Sequence, residues 1–242
     1  MSQFWQDLKS NAWGLFNEHN LLDNYVTVKA RPLSTNEAIG EPEKKDFPLQ
    51  KGKEKLMQAE FEGFAGQAYT DQFGDYEGSL GDIIAMELND NFQRAVFVST
   101  LNAVLKYLGK IEGTIHCRDT EPAKCAYNLS NFINQHFTEP KITIIGFQPR
   151  FVEILSESFS TRAVDMDPEN IGENMFNIRI EGPETTKDAI DWADLLVITG
   201  TTLVNDTIGQ FLDNNKPKLF YGTTIAGAAW LMGWSRFCSM SS

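Results

Sequence analysis

Apolar positions recur at helical spacing at the start of the chain. In FWQDLKSNAWGLFNEH, Phe4, Trp5, Leu8, Trp13 (after Ala12), Leu15 and Phe16 follow a period near 3.6, which predicts an amphipathic helix. YVTVKA then alternates like a strand. The polar stretch STNEAIGEPEKKDFPLQKGKEK, residues 34–55, reads as a loop or solvated insertion whose charges form an exposed face. KLMQAEFEGFAGQAYTDQF returns to strand-like alternation, interrupted by Gly63 and Gly66, and YEGSLGDIIAMELND reads as a turn feeding a short helix. The strongest helical signal is NFQRAVFVSTLNAVLKYLG. Phe92, Val96, Phe97, Thr100, Leu101, Val104, Leu105 and Leu108 form one stripe, and Gly109 suits the C-terminal cap.

From Lys141 the pattern changes. KITIIGF is a short, wholly apolar strand, as expected where both faces are covered. PRFVEILSESF follows as a helix with Pro149 in its first turn. RAVDMD, NIRI and DLLVITG are further strands, TLVNDTIGQFLDNN a helix, PKLFYG a strand and IAGAAWLMG a last helix. Strands followed by helices, then alternating β and α units, predict an α/β chain. Residues 1–112 form an α+β unit, 113–140 a connecting helical segment, and 141–242 an open parallel sheet.

Composition narrows the partners. The chain has 242 residues, 42% hydrophobic and 22% charged, with 21 basic against 33 acidic residues and a net charge of −12. Such a chain buries roughly 70–75% of its unfolded surface without staples. The charge opposes non-specific attraction to nucleic acid or anionic membrane, so neither is an expected partner. The N-terminus has no secretory pattern, and the run AGAAWLMGW is too short to span a bilayer. A reducing cytoplasm is therefore the expected location, with the three cysteines as thiols or ligands. A two-fold homodimer is the prior from oligomer statistics alone.

Three places carry candidate chemistry. In a parallel sheet, ligands sit at the carboxyl ends of the strands where the order reverses. The loop IIGFQPRF holds only Gly146, followed by Phe147 and Gln148, where a dinucleotide fingerprint needs G-x-G-x-x-G, so NAD or FAD is not expected. Asp165, 19 residues after Gly146, stands where a ribose-binding carboxylate would lie, or is a solvated strand end. In VITGTTLVNDT a buried strand runs into Thr199, Gly200, Thr201 and Thr202. Hydroxyls and amides there either hold a polar ligand or simply cap the next helix. No Gly-Lys-Ser/Thr follows, so this is not a Walker loop.

The third place is IHCRDTEPAKCAYN. His116, Cys117 and Cys125 are soft-metal ligand types, but no C-x2-C pair occurs, and a site needs a further group such as Cys238 or a carboxylate. The plainer alternative is a helix start. Asp119 or Thr120 caps it, Glu121 and Pro122 fill the first turn, and Cys125 and Tyr127 pack inside. A nucleophilic Cys117 beside Arg118, with His116 or His136 as base, is a third alternative without a supporting spacing. His19 and His136 read as surface or boundary residues.

Taken together, HCRDTEPAKCA, ITIIGFQPRF, ADLLVITGTTLVNDT and YGTTIAGAAWLMGWSRFC resemble the heavy-metal-chelation family of uncharacterised prokaryotic proteins. The resemblance runs from about Asn24 to Cys238, with the threonine loop and Asn205 its most specific part. It implies an enolase N-terminal-like first half joined to a Rossmann-like second half. It also implies a ligand site in the cleft between them, lined by the Thr199–Asn205 loop and the Gly146–Phe147 turn. His116–Cys125 would lie on the hinge side, with Cys117, Arg118 and Asp119 facing the cleft. The implied function is binding of a small molecule, a metal ion or a metal complex. A divalent transition metal is the candidate cofactor, and His116, Cys117 and Cys125 its candidate ligands. The alternative is an enzyme acting on a nucleoside-containing or phosphorylated small molecule, with Asp165 on a ribose.

Overall fold

In the computed structural model, residues 2–22, 28–41 and 54–242 are described. The polar segment is thus seen only at its two ends, and residues 42–53 lie outside the described residues. Helix α1 (Gln3–Glu18) is followed by strand β1 (Val28–Pro32) and a short helix α2 (Thr35–Ile39). Then come β2 (Lys55–Phe61), β3 (Phe64–Thr70), β4 (Tyr76–Gly78), α3 (Leu80–Ala85) and the long α4 (Asn91–Tyr107). The four strands form an antiparallel sheet in the order β3-β2-β1-β4. Part of the segment read as loop is therefore helical. Ser34 accepts from the Glu37 amide while Glu37 accepts from the Ser34 amide, a capping box that fixes α2.

A connector leads into α5 (Glu121–His136). Then follow β5 (Ile142–Ile145), α6 (Pro149–Ser158), β6 (Thr161–Val164), β7 (Asn174–Met175), β8 (Ile178–Glu181), α7 (Thr186–Trp192) and β9 (Leu195–Thr199). The chain ends with α8 (Thr201–Val204), α9 (Gly209–Leu212), β10 (Lys218–Tyr221), α10 (Ala226–Met232) and β11 (Arg236–Phe237). The second sheet runs β11-β10-β9-β5-β6-β8-β7 and is parallel except for β7 on β8. The expected α/β class holds, with an α+β first half followed by a largely parallel open sheet.

Alternation within the apolar strands assigns the two faces. Leu196 and Ile198 of β9 point into one core, shared with α1, α4 and the first sheet. Leu195 and Val197 point into the other, shared with α5 and α6. Helix α4 lies between the sheets, which is why residues from Arg94 to Leu105 are buried on every side and not along one stripe. Its polar side chains are engaged there. The Asn102 amide donates to the carbonyls of Gln67 (2.9 Å) and Thr223 (3.0 Å) and accepts from the Gly227 amide (2.7 Å). One buried asparagine thus ties β3 to the loop after β10 and to α10. No helix among the described residues is long and apolar enough to cross a membrane.

Two local expectations are corrected. The helix predicted over TLVNDTIGQFLDNN is two short helices, α8 and α9. Asp206 breaks it, with φ of 56°, and the Thr207 and Ile208 amides turn back onto the Thr202 carbonyl. At the start of α5, neither Asp119 nor Thr120 caps through its side chain. The Glu121 carboxylate instead accepts from the Arg118 amide at 2.8 Å. Cys125 packs inside as expected, but Tyr127 is exposed.

Candidate functional site

The strand order reverses at β5. The chain leaves β5 for β6 and β8 on one side, then returns to lay β9 on its other edge. Loops leaving the carboxyl ends of β5 and β9 diverge, and a crevice opens between them. A cavity of about 620 Å3 lies there. One wall comes from Gly146 and Phe147 after β5, Asp165 after β6, Thr199–Thr202 after β9, and Tyr221 at the end of β10. The other comes from the first half and the connector, with Glu54, Tyr69, Asp71, Asn91, His116 and Cys117, joined by Cys125 of α5 and Cys238 near the C-terminus.

Two glycines let the strand-end loops come this close. Gly146 has φ of 89°, and a Cβ there would stand 2.5 Å from Thr199 Cγ2. At Gly200 a Cβ would stand 2.7 Å from the Ile225 amide nitrogen. Several amides of these loops are already engaged. Gly146 donates to the Val164 carbonyl, Phe147 to Asp165 Oδ2, and Phe151 to the Gln148 side chain that caps α6. Gly200 donates to the Tyr221 carbonyl at 2.9 Å. With Gly146, Phe147 and Gly200 so engaged, these three amides are not free for a pyrophosphate. The threonine loop offers hydroxyls instead. Thr199 Oγ1 accepts from the Thr201 hydroxyl at 3.1 Å, and the Thr202 hydroxyl donates to the Thr199 carbonyl at 2.7 Å.

Asp165 is no solvated strand end. Its two oxygens accept from the Phe147 and Asp167 amides. Asn205 approaches the first half, where its Oδ1 lies 3.5 Å from Asn91 Nδ2, and Asn91 also donates to Asp71 at 2.6 Å. Asn91 is steadied in turn by Arg94, which also donates to the Val204 carbonyl. Tyr221 donates to the Gly146 carbonyl at 3.1 Å, and burial holds its phenol above the ordinary range.

Two titratable groups face the cavity. The first is carboxylic. Burial, reinforced by Asp165, Asp71 and Asp167, pushes Glu54 up to about 7. The second is soft. Cys117, Cys125 and Cys238 all line the cavity, because the C-terminal tail folds onto the connector. Ile115 and Ser242 exchange backbone hydrogen bonds (2.8 and 3.2 Å), and Arg236 donates to the Gly113 carbonyl. All three thiols are free. Burial raises the pKa of Cys117 and of Cys125, with the neighbouring sulfurs adding to it. At neutral pH both are thiols, and the thiolate is the form that attacks or ligates. Burial also lowers His116 to about 4, so its imidazole is neutral, and its buried Nδ1 has no hydrogen-bond partner among the described residues.

The structure therefore brings together Thr199, Gly200, Thr201, Thr202, Asn205, Gly146, Phe147, Asp165, His116, Cys117 and Cys125 around one cavity. It leaves Arg118 and Asp119 out of the lining. Arg118 donates to the Asn36 carbonyl, and Asp119, with φ of 53°, accepts from the Glu41 amide, so both tether α2. Nor do the soft residues converge on one point among the described residues. No three His, Cys, Asp or Glu side chains among the described residues are placed to hold one ion. Glu54, Tyr69, Asp71 and Asn91 were missed by sequence reading. Glu54 lay in the stretch read as solvated, and strand alternation at Tyr69 and Asp71 carries no sign of what packs opposite.

The fold and cavity define an antiparallel sheet and its helix laid against a parallel α/β sheet, with a crevice at the switch point. Residues 128–224 match the DUF364 family model, described as "Putative heavy-metal chelation", so the family resemblance holds over that span. Two solved structures share the fold. One is a DUF364 protein of unknown function from Pyrococcus horikoshii, with TM-score 0.55 and 15% identity over 92% of this chain and 80% of that one. The other is a DUF364 protein of unknown function from Desulfitobacterium hafniense, with TM-score 0.52 and 11% identity over 74% of this chain and 72% of that one. No curated protein matches the chain. The matched span contains the strand-end loops but not His116, Cys117, Cys125 or Cys238.

Proposed function

We propose that this protein binds a small organic ligand in the cavity at the switch point. The observation that carries this is the placement of one 620 Å3 space at the strand ends, walled by residues from both sheets. Its size falls within the roughly 300–1,000 Å3 of small-molecule sites, and its mix of aromatic rings with a few polar groups is usual for them. The reading takes residues 1–112 and 141–242 as two units supplying one wall each, with 113–140 as connector. It places the protein in a reducing cytoplasm, where the three thiols stay free.

A bare heavy-metal ion fits this wall poorly. Tetrahedral ligation needs three or four donors at about 2.0–2.3 Å from one point, in deprotonated form. The described donors do not converge, and burial keeps the thiols protonated. A phosphorylated ligand has less support, since no Lys or Arg among the described residues lines the cavity and the Gly146, Phe147 and Gly200 amides are engaged.

Chemical-shift mapping with a metabolite library tests the proposal. Binders should move the resonances of Thr199–Thr202 and Tyr69 together and should weaken at least fivefold in Thr199→Val. A library with no binder, or binders that leave those resonances unmoved, overturns it.

A further inference from the structure

Asp165 stands just past the end of β6, and β6 lies between β5 and β8 in the sheet. The neighbouring strand ends fix what surrounds it. On the β5 side, the Phe147 amide donates to Asp165 Oδ2. On the β8 side, the Asp165 amide donates to the Glu181 carbonyl at 2.9 Å, and the chain turns into Pro183 just beyond that bond. Met166 follows Asp165 directly and is 58% exposed. Phe147, Met166 and Pro183 all line the cavity, and none of the three is buried. One carboxyl group is thereby flanked by three apolar groups that keep open surface. A polar anchor set among apolar walls is the makeup of a small-molecule site.

The carboxyl group is held in place but not used up. Among the described residues its oxygens accept one amide each, from Phe147 and Asp167. A carboxylate has about four acceptor positions, so each oxygen can take a further donor. Two fixed, adjacent acceptors at this strand end match two adjacent hydroxyls, the diol of a ribose. A thioether and an aromatic ring both pack well on a flat π-system, which suits Met166 and Phe147 to the face of a base. In such a sheet a diphosphate would lie at the turn after β5. There the Gly146 amide already donates to the Val164 carbonyl and the Phe147 amide to Asp165 itself.

We infer that the ligand is a nucleoside carrying no phosphate, with its ribose diol on Asp165 and its base against Phe147, Met166 and Pro183. The inference rests on the cavity being the binding site and adds the class of what enters it.

The test titrates adenosine, guanosine, cytidine and uridine by chemical-shift mapping. Each is set beside its dideoxy counterpart, which lacks the diol, its monophosphate, and free ribose. At least one nucleoside should move the resonances of Met166 and Thr199–Thr202 together. Its dideoxy counterpart should bind about tenfold more weakly or worse, because hydroxyl-reading sites reject analogues that lack the hydroxyl. Free ribose should be weaker by a similar factor, and the monophosphate should bind no more tightly than the nucleoside. Asp165→Asn should remove the preference for the nucleoside over its dideoxy counterpart. Met166→Ala, at an exposed position, is the second variant should Asp165→Asn fail to fold, and it should weaken both compounds alike, by about threefold.

A dideoxy compound that binds as well as its nucleoside overturns the diol contact, as does an Asp165→Asn protein that keeps the preference. Free ribose binding as tightly as the nucleoside, or Met166→Ala without effect, overturns the base contact. A monophosphate that binds about tenfold more tightly makes the ligand a nucleotide and overturns the inference as well. Should no nucleoside bind while another class of metabolite moves Thr199–Thr202 and Tyr69, the nucleoside falls and the ligand site stands. No binding by any class overturns both.

Discussion

The two titratable groups around the cavity contrast sharply. The soft group, His116, Cys117, Cys125 and Cys238, has the residue types of a metal centre; burial keeps the imidazole in the neutral form that can ligate but raises the buried thiols, which ligate as thiolates. The carboxylic group has no motif at all, yet it lines a cleft at the strand ends, where burial and neighbouring carboxylates raise Glu54. What decides is whether the environment favours the reactive form and whether its partners are already present in the protein.

Both groups face one space only while the two sheets stay docked, and the largest test of the contrast removes the dock. Asn102→Ala strips the Gly227 amide and the Gln67 carbonyl of a buried partner and leaves a small void. We expect about 4 kcal/mol of lost stability. In a chain of this length that lowers Tm by about 10 °C. Calorimetry checks it, and a loss under 1 kcal/mol would mean the sheets dock without this residue.

The next test addresses the carboxylic group alone. Glu54 has its folded pKa raised from 4.5 to about 7. Its proton is held more tightly in the folded state, so its contribution is fully present below pH 4.5 and is lost as pH rises through 7. Wild-type stability should fall across that window by about 2 kcal/mol, allowing for partial exposure. Glu54→Gln should flatten the curve and be the more stable protein at pH 8. Equal pH profiles would show that Glu54 is solvated.

For the soft group the expected effect is a rate. At pH 8 iodoacetamide should label half-exposed Cys238 at least tenfold faster than buried Cys117 and Cys125, followed by mass spectrometry. Fast labelling of Cys117 would reverse the contrast and restore it as a reactive thiol.

Sequence legibility followed the same division. Periodicity exposed α1 and α6, each of which buries one face, and unbroken apolar runs exposed the strands β5, β9 and β10; α4 was legible as a helix, though not as one buried on every side. It did not expose β7 and β11, two residues each, which are defined only by their neighbours. Nor did it expose α7, whose stretch TKDAIDW buries just Thr186, Ala189 and Ile190. On the site, Thr199–Thr202 was legible as a strand running into a helix. Glu54, Tyr69 and Asp71 were not, since they reach the cavity only through the docking of one sheet on another. Arg118 and Asp119 read as cleft residues from the position of their segment between the two halves, but a left-handed turn at Asp119 directs them to α2.

The smallest test asks how far the first half steadies the threonine loop. Trp5, buried in the first core, donates its indole N–H to Asp206 at 2.7 Å. Asp206 is the left-handed residue that ends α8, a conformation carrying about 1 kcal/mol of strain for a non-glycine. Trp5→Phe keeps a ring against Phe97 and loses the hydrogen bond, and should cost about 1 kcal/mol. Asp206→Gly removes the same bond from the other side while relieving the strain, so its net cost should be smaller. In that background, Trp5→Phe should cost less than in the wild type. If it costs as much in both, the indole acts by packing alone, and the loop holds its shape from the parallel sheet without help from α1.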